Sequence, residues 1–156
     1  MRYLAVDFGR ARLGLAVSDP EARLAVPYAS RQRQGTKRDV ADLIETIRGL
    51  EAEGIVFGLP HNLEAGGEES DSMRLARNFA AALEAELCAQ NLPHIIEWWD
   101  ERFSTTQALR QMQTLGISQR TGRNSSGDQS VDALAAANIL QGYLDSQKDH
   151  NQKDDH

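Results

Sequence analysis

Three acidic positions, far apart in the chain, have the side chains and the settings that a divalent metal ion requires. Asp7 follows the apolar run YLAV and precedes Gly9, which would let a ligand approach the backbone. Glu101 lies in WWDERFST, directly after a second apolar run, and open α/β sheets bind ligands at the carboxyl ends of strands. Asp132 precedes ALAAANIL, whose lack of polar side chains predicts a largely buried helix. Two divalent ions roughly 3.5–4 Å apart would suit phosphodiester hydrolysis, and carboxylates are the ligands that Mg²⁺ and Mn²⁺ prefer.

Each of these acids also has a structural interpretation. Asp7 could cap a hairpin turn through its side chain. Asp100 is an alternative to Glu101 as a ligand, and both acids could instead favour the positive end of a following helix. Asp128 lies one helical turn before Asp132, so the two carboxylates would share a helix face, although helix capping explains Asp128 well. The residues alone leave these alternatives open.

Other catalytic chemistries have weaker support. The histidines are scattered without the spacing of zinc ligands. Cys88 falls within an amphipathic segment, where packing is the simpler use of a thiol. The GxGxxG and GxxxxGK[ST] phosphate loops are absent from the sequence. Trp98 and Trp99 adjoin the DER segment. Because adjacent strand residues face opposite sides, at least one of them is expected in the core, and packing is favoured over base stacking for the other.

The elements that must position these acids follow from apolar periodicity. Residues 4–6 and 13–17 predict two strands joined by a tight hairpin at FGRAR, and Pro27 restricts a third strand over residues 23–30 to an edge or a bulge. Thr36 is expected to cap the first helix, and Gly54 is expected to end it. Helices are predicted over residues 37–53, 71–90, about 105–115 and 129–144, and further strands over 55–60 and 93–99.

This order of elements predicts the fold class. Three consecutive antiparallel strands followed by parallel crossovers give an α/β fold with a mixed five-stranded sheet and helices on both faces. We expect one domain over residues 1–144 and a disordered polar tail over residues 145–156.

Composition favours a cytoplasmic protein and bears weakly on nucleic acid. The 156 residues contain no apolar run long enough for a membrane span, no signal-peptide pattern and a single cysteine. The net charge of −6 is unusual for a protein that holds nucleic acid mainly by electrostatics. Residues 1–40, however, carry eight basic and four acidic side chains, an asymmetry that suits one basic face and equally suits random placement.

Four blocks of sequence together resemble one known family. AVDFGRARLGLAVSD resembles the opening DxGxxRxGxAxSD pattern of the YqgF/RuvX family, and IVFGLPHNLEAGGEES resembles its GLPxN loop. WWDERFSTTQA resembles its DERxxT segment, and SVDALAAANIL resembles its closing DxxAAxxIL helix. The blocks occur in the family's order and span almost the whole chain.

The resemblance implies a ribonuclease H-like fold and a metal-dependent nuclease. The family is described both as nucleases maturing the 5′ end of pre-16S ribosomal RNA and as Holliday junction resolvases, so structured RNA is the first expected substrate and branched DNA the alternative. By motif, Asp7, Glu101 and Asp132 match the family's three acidic catalytic positions and would hold two Mg²⁺ or Mn²⁺ ions, with Asp7 bridging both. Asp128 has no clear family counterpart and is an additional candidate ligand.

The resemblance also implies contacts with the substrate. Arg12 and Asn62 match recurring polar positions expected to face nucleic acid, and Arg102 lies within the DER segment. The last loop, GRNSSGDQSVD, lacks the lysines usual in the family, so phosphate contacts are expected from Arg10, Arg12 and the RQRQGTKR loop instead. A homodimer would suit a junction-cutting enzyme through its two-fold symmetry.

Two other functional classes have some support. The ATP-binding branch of the same superfamily shares a DxGxxxxxG loop, which residues 7–14 match only loosely, but those enzymes need two such domains. A protein that keeps the fold and its carboxylates without catalysis would fit the acidic composition. Assays of cleavage with and without Mn²⁺ distinguish these classes from a nuclease.

Overall fold

The structure is a computed structural model that describes residues 1–59, 71–100 and 127–154. The predicted helix near residues 105–115 lies outside these ranges, as do Asn62, Glu101 and Arg102. The elements in chain order are β1 Arg2–Phe8, β2 Arg12–Ser18, β3 Ala25–Gln32, α1 Thr36–Leu50, β4 Ala52–Leu59, α2 Asp71–Ala89, β5 Ile95–Asp100 and α3 Gly127–Asp154.

The strands form one mixed five-stranded sheet in the order β3-β2-β1-β4-β5. β1 pairs antiparallel with β2, and β2 pairs antiparallel with β3. β1 pairs parallel with β4, and β4 pairs parallel with β5. Pro27 lies on the edge strand β3, next to a shift in the register with β2. This strand order confirms the predicted mixed sheet. Short connections join the three antiparallel strands, and the longer crossovers that parallel strands require follow them in the chain.

Each face of the sheet carries a separate hydrophobic core. Leu4 and Val6 of β1 pack with α1 and α2, whereas Ala5 packs with α3 in the second core. Alternation along a strand sends successive side chains to opposite faces. We call the side of Tyr3, Ala5 and Trp99 the α3 face.

The first helix ends earlier than its sequence pattern indicates. α1 stops at Leu50, and Glu51 adopts a left-handed conformation with φ of 54°. The prediction that Gly54 ends this helix is wrong, because parallel pairing with β1 already begins at Ala52. Gly54 instead lies within β4, where an added Cβ would come within 2.2 Å of the ring of Tyr3.

The last helix is longer than the sequence pattern predicts. α3 continues through Asp154, whereas the sequence predicted a helix to residue 144 and disorder beyond it. Residues 145–154 contain neither glycine nor proline, so nothing in this segment opposes extension of the buried helix that precedes it. Within the three described ranges, none of the helices is both long and apolar enough to cross a lipid bilayer.

Candidate functional site

Asp7 belongs to a row of three residues that crosses adjacent strands. Asp7 pairs with Gly14 of β2, and Gly14 pairs with Ser30 of β3. Directly opposed residues in antiparallel strands lie only about 4.5–5.5 Å apart. Alternation from Tyr3 and Ala5 directs the Asp7 side chain to the α3 face.

Gly14 brings the start of α3 onto this row. An added Cβ at Gly14 would lie 2.1 Å from the backbone carbonyl oxygen of Asp132 and 3.1 Å from its Cβ. Only a residue without a side chain therefore permits α3 to sit this close to β2. Because Gly14 is the strand partner of Asp7, the contact brings Asp132 beside Asp7. The sequence pattern around Asp7 indicated Gly9 rather than Gly14 as the point of close approach, although a glycine inside an apolar strand is also a signal of close backbone approach.

The carboxylate of Asp132 is engaged by two donors. The Nε atom of Arg12 lies 2.9 Å from Oδ2 of Asp132, and the hydroxyl of Ser30 donates to the same oxygen at 3.1 Å. The side chains of Arg12 and Asp132 are 42% and 27% exposed, so this ion pair lies at the protein surface. Arg12 was among the predicted site residues, whereas Ser30 was not, since a serine in an edge strand carries no recognisable pattern.

A partly buried arginine, Arg33, holds the turn between Asp7 and Arg12. Arg33 donates from Nη1 to the carbonyl oxygen of Gly9 at 3.2 Å, and its backbone N–H donates to the carbonyl of Ala11 at 2.8 Å. Its Nε atom lies 2.6 Å from Oδ2 of Asp39, which is 5% exposed. Its guanidinium also lies 4.7 Å from the centre of the Phe8 ring. The polar stretch RQRQGTKR predicted a loop for Arg33, and its composition gave no sign of this positioning role.

The two tryptophans pack on opposite faces of the sheet, as predicted. Trp98 lies 5.1 Å from the ring of Phe57 in the first core, and Trp99 lies 6.1 Å from the ring of Tyr143 on the α3 face. Burial is the main reason that the pKa of Tyr143 is raised above its ordinary value. By the same alternation, Asp100 lies on the side of Trp98, away from Asp7.

The remaining predicted site residues are Arg10, Asp128, Glu101, Arg102 and Asn62. Arg10 is exposed in the turn that follows β1, and Asp128 belongs to the first turn of α3. Glu101, Arg102 and Asn62 lie outside the described residues. Within those ranges, no cluster of three or more His, Cys, Asp or Glu side chains suits a metal ion. Of the predicted ligands, Asp7 and Asp132 are the two that the contact at Gly14 brings together.

Solved structures define the class of fold. Thermus thermophilus RuvC, determined in complex with a Holliday junction substrate, matches with a TM-score of 0.60 and 14% identity, covering 95% of this chain and 96% of that one. The yeast mitochondrial Holliday junction resolvase also matches with a TM-score of 0.60, at 11% identity, covering 91% of this chain and 77% of that one. The chain thus has the ribonuclease H-like fold of RuvC-type proteins, which confirms the predicted fold class.

Sequence comparison defines the family. The family model described as "RuvX: Holliday junction resolvase" matches residues 1–146, and the chain belongs to this family. A relative from Anaeromyxobacter dehalogenans is 43% identical over 145 residues, covering 93% of this chain and 97% of the relative, and is named "Putative pre-16S rRNA nuclease". A relative from Koribacter versatilis carries the same name at 39% identity, covering 92% of this chain and 86% of its own length. The predicted family and the general class, a nuclease that hydrolyses nucleic acid, are confirmed.

Proposed function

We propose that this chain hydrolyses phosphodiester bonds with the aid of Mg²⁺ or Mn²⁺ and that it matures the 5′ end of pre-16S ribosomal RNA. The observation that supports metal dependence most directly is the close contact of Asp132 with Gly14, the strand partner of Asp7. It brings two acids that are distant in sequence to one end of the sheet. Carboxylate oxygens are the donors that these two ions prefer, so the residues fit the proposed ions.

Glu101 is our choice for the third ligand. The alternation along β5 directs Trp99 to the α3 face and Asp100 to the opposite face. Asp100 is therefore directed away from Asp7, which leaves Glu101, the residue that follows β5 in the sequence, as our choice over Asp100. Asp128, one helical turn before Asp132 in α3, is proposed as an additional ligand.

In this proposal, the acidic residues would bind the metal ions and the basic and amide residues would contact the substrate. The bound ions supply activation of water and neutralise negative charge on the departing oxygen. Asp7, Glu101 and Asp132 hold the ions in position. Arg10 and Arg12, which flank the turn after β1, would contact phosphate groups, and we propose Arg102 and Asn62 as further substrate contacts.

The choice of substrate rests on the comparisons. The relatives that share 39% and 43% identity with this chain are named for pre-16S rRNA, which favours structured RNA. The family description names Holliday junctions, which makes branched DNA the second candidate. The two-fold symmetry of a junction would then favour a homodimer.

The test compares purified wild type with Asp7→Asn and with Asp42→Asn, a matched control on the exposed side of α1. Substrates are an RNA spanning the 5′ end of pre-16S rRNA and a four-way DNA junction, each with Mn²⁺, Mg²⁺ or EDTA. Loss of residues that merely support metal ligands changes activity by about 10–100-fold. Loss of a ligand itself should therefore slow cleavage of the RNA by more than about 100-fold, with the control unaffected.

The outcomes separate the functional classes. Cleavage of the junction with no cleavage of the RNA would assign the protein to branched DNA. Binding without cleavage of either substrate would make it a nucleic-acid-binding protein. Equal rates for wild type and Asp7→Asn would overturn the proposed site.

A further inference from the structure

One oxygen of a proposed metal ligand already has two partners. Oδ2 of Asp132 accepts the charged Nε–H of Arg12 at 2.9 Å and the neutral Oγ–H of Ser30 at 3.1 Å. A cation that approached this oxygen would meet a guanidinium of the same sign. The two donors therefore have opposite consequences for a metal ion, although they contact the same atom.

Arg12 is the partner that can move. The backbone of Asp132 is held against β2 by its contact with Gly14, within a helix packed on the sheet. Arg12 has a long side chain that is 42% exposed, at the first residue of β2. Rotation of its side chain needs no change in the backbone, whereas displacement of Asp132 would disturb the packing of α3.

Ser30 is fixed in place. It lies within β3 and pairs with Gly14, so its hydroxyl is held beside Asp132 by the sheet itself. A hydroxyl donor can remain on a carboxylate that also binds a metal, and such supporting hydrogen bonds orient metal ligands.

We propose that Arg12 is the counter-ion of Asp132 in the metal-free protein and gives up Oδ2 when a divalent ion binds, while Ser30 stays and positions the carboxylate. This inference rests on the proposed function. It adds that Arg12 and the metal ion compete for the same oxygen of Asp132. The guanidinium that leaves Asp132 remains at the edge of the site, where a phosphate of the nucleic acid can take the place of the carboxylate as its partner.

The experiment measures Mn²⁺ affinity without nucleic acid, by electron paramagnetic resonance of free Mn²⁺ or by calorimetry. Exposed ion pairs are weak, so Arg12→Met should bind Mn²⁺ about two- to fivefold more tightly than wild type. Arg12→Lys keeps the charge and should bind like wild type. Arg10→Met removes an exposed charge from the preceding turn and leaves the ion pair of Arg12 with Asp132 in place, so it should change the affinity less than Arg12→Met does. Ser30→Ala should weaken binding by about 10-fold or more, which is the opposite direction.

Thermal unfolding provides a readout that is independent of affinity. Without metal, Arg12→Met should unfold at a lower temperature than wild type because it lacks the ion pair. At saturating Mn²⁺ this difference should shrink, because wild type has then lost the same ion pair. A constant difference with and without Mn²⁺ would show that Arg12 keeps its contact with Asp132 when metal is bound.

The failure of this inference differs from the failure of the proposed function. Suppose that Asp132→Asn loses Mn²⁺ binding while Arg12→Met binds Mn²⁺ as wild type does or more weakly. The proposed metal site would then be supported, and the proposal that Arg12 competes with the metal ion would be wrong. If wild type shows no saturable Mn²⁺ binding, or if Asp132→Asn binds as tightly as wild type, both the proposed metal site and the competition are overturned.

Discussion

At the scale of single residues, the site depends on charges whose partners lie far away in sequence. Asp7 and Asp132 could be selected from the sequence because their settings, a strand end and the start of an apolar helix, are visible in it. Ser30 and Arg33 could not be selected, because their contacts with Asp132 and with the turn at Gly9 exist only after β3 pairs with β2. Side chains that orient other residues leave no local pattern.

Arg33 provides a prediction about stability. Arg33→Ala would leave the carboxylate of Asp39 buried without its cation, and breaking a buried ion pair costs about 3–5 kcal/mol. Arg74→Ala is the matched control, because its partner Asp71 is 68% exposed and such pairs contribute about 1 kcal/mol or less. Urea denaturation of both variants measures the free energies of unfolding. Similar losses in the two variants would contradict a positioning role for Arg33.

Asp19 predicts a dependence of stability on pH. The backbone N–H of Leu24 donates to its carboxylate, with a further bond from Arg23, and these bonds lower the pKa of Asp19 below the ordinary value of 3.8. A lowered pKa in the folded state stabilises the protein above pH 3.8, and this contribution is lost as the pH falls through the lower folded value. Asp19→Asn should therefore be less stable than wild type at neutral pH. The difference in melting temperature should shrink with acidification below pH 3.8, and a difference that grows there would contradict this assignment.

At the scale of elements, alternation and periodicity predicted the five strands and the described helices, with errors at their ends. The end of α1 was placed too late because Gly54 reads as a helix stop. Its actual use, leaving room for the ring of Tyr3 on a neighbouring strand, is a long-range contact that no local pattern reveals. Gly14 differs in one respect, because a glycine inside an apolar strand does indicate a close backbone approach, but not that α3 is the element that approaches.

Gly14 gives the sharpest test at this scale. Gly14→Ala places a Cβ 2.1 Å from the carbonyl oxygen of Asp132, so α3 must shift, and overpacking of this kind costs about 1–3 kcal/mol or more. Gly49→Ala is the control, since its Cβ would meet nothing within 4 Å and the change should stabilise α1 by about 0.4–1 kcal/mol. Denaturation and Mn²⁺ titration should show that only Gly14→Ala loses stability and metal affinity together. Wild-type affinity in Gly14→Ala would contradict the role of this contact.

At the scale of the whole molecule, the order of elements was enough to predict a mixed sheet with helices on both faces. The superfamily and the family needed the four sequence blocks as well, because several functions share this fold. The net charge of −6 leads us to expect few contacts between basic side chains and phosphate groups. Few such contacts should give a shallow dependence of nucleic-acid affinity on salt.

Arg10 tests that consequence. If Arg10 contacts one phosphate, Arg10→Ala should reduce the slope of log affinity against log salt by about 0.9 on duplex DNA and about 0.7 on single-stranded nucleic acid. Arg48→Ala is the control, because Arg48 lies far from Asp7. It belongs to the last turn of α1, and the carbonyl of Leu50 at the end of this helix accepts a hydrogen bond from Arg2, at the opposite end of β1 from Asp7. Binding measured across a salt series should change its slope for the first variant only. Equal slopes for wild type and Arg10→Ala would place the nucleic acid elsewhere.

The central claim is that acids distant in sequence share divalent ions at the end of β1. Anomalous diffraction from crystals grown with Mn²⁺ tests it most directly, because it locates the ions without reference to activity. We predict manganese peaks within coordination distance of the carboxylates of Asp7 and Asp132, and none at these positions in Asp7→Asn crystals. Fully ordered carboxylates with no manganese between them, or manganese bound only elsewhere on the protein, would contradict it.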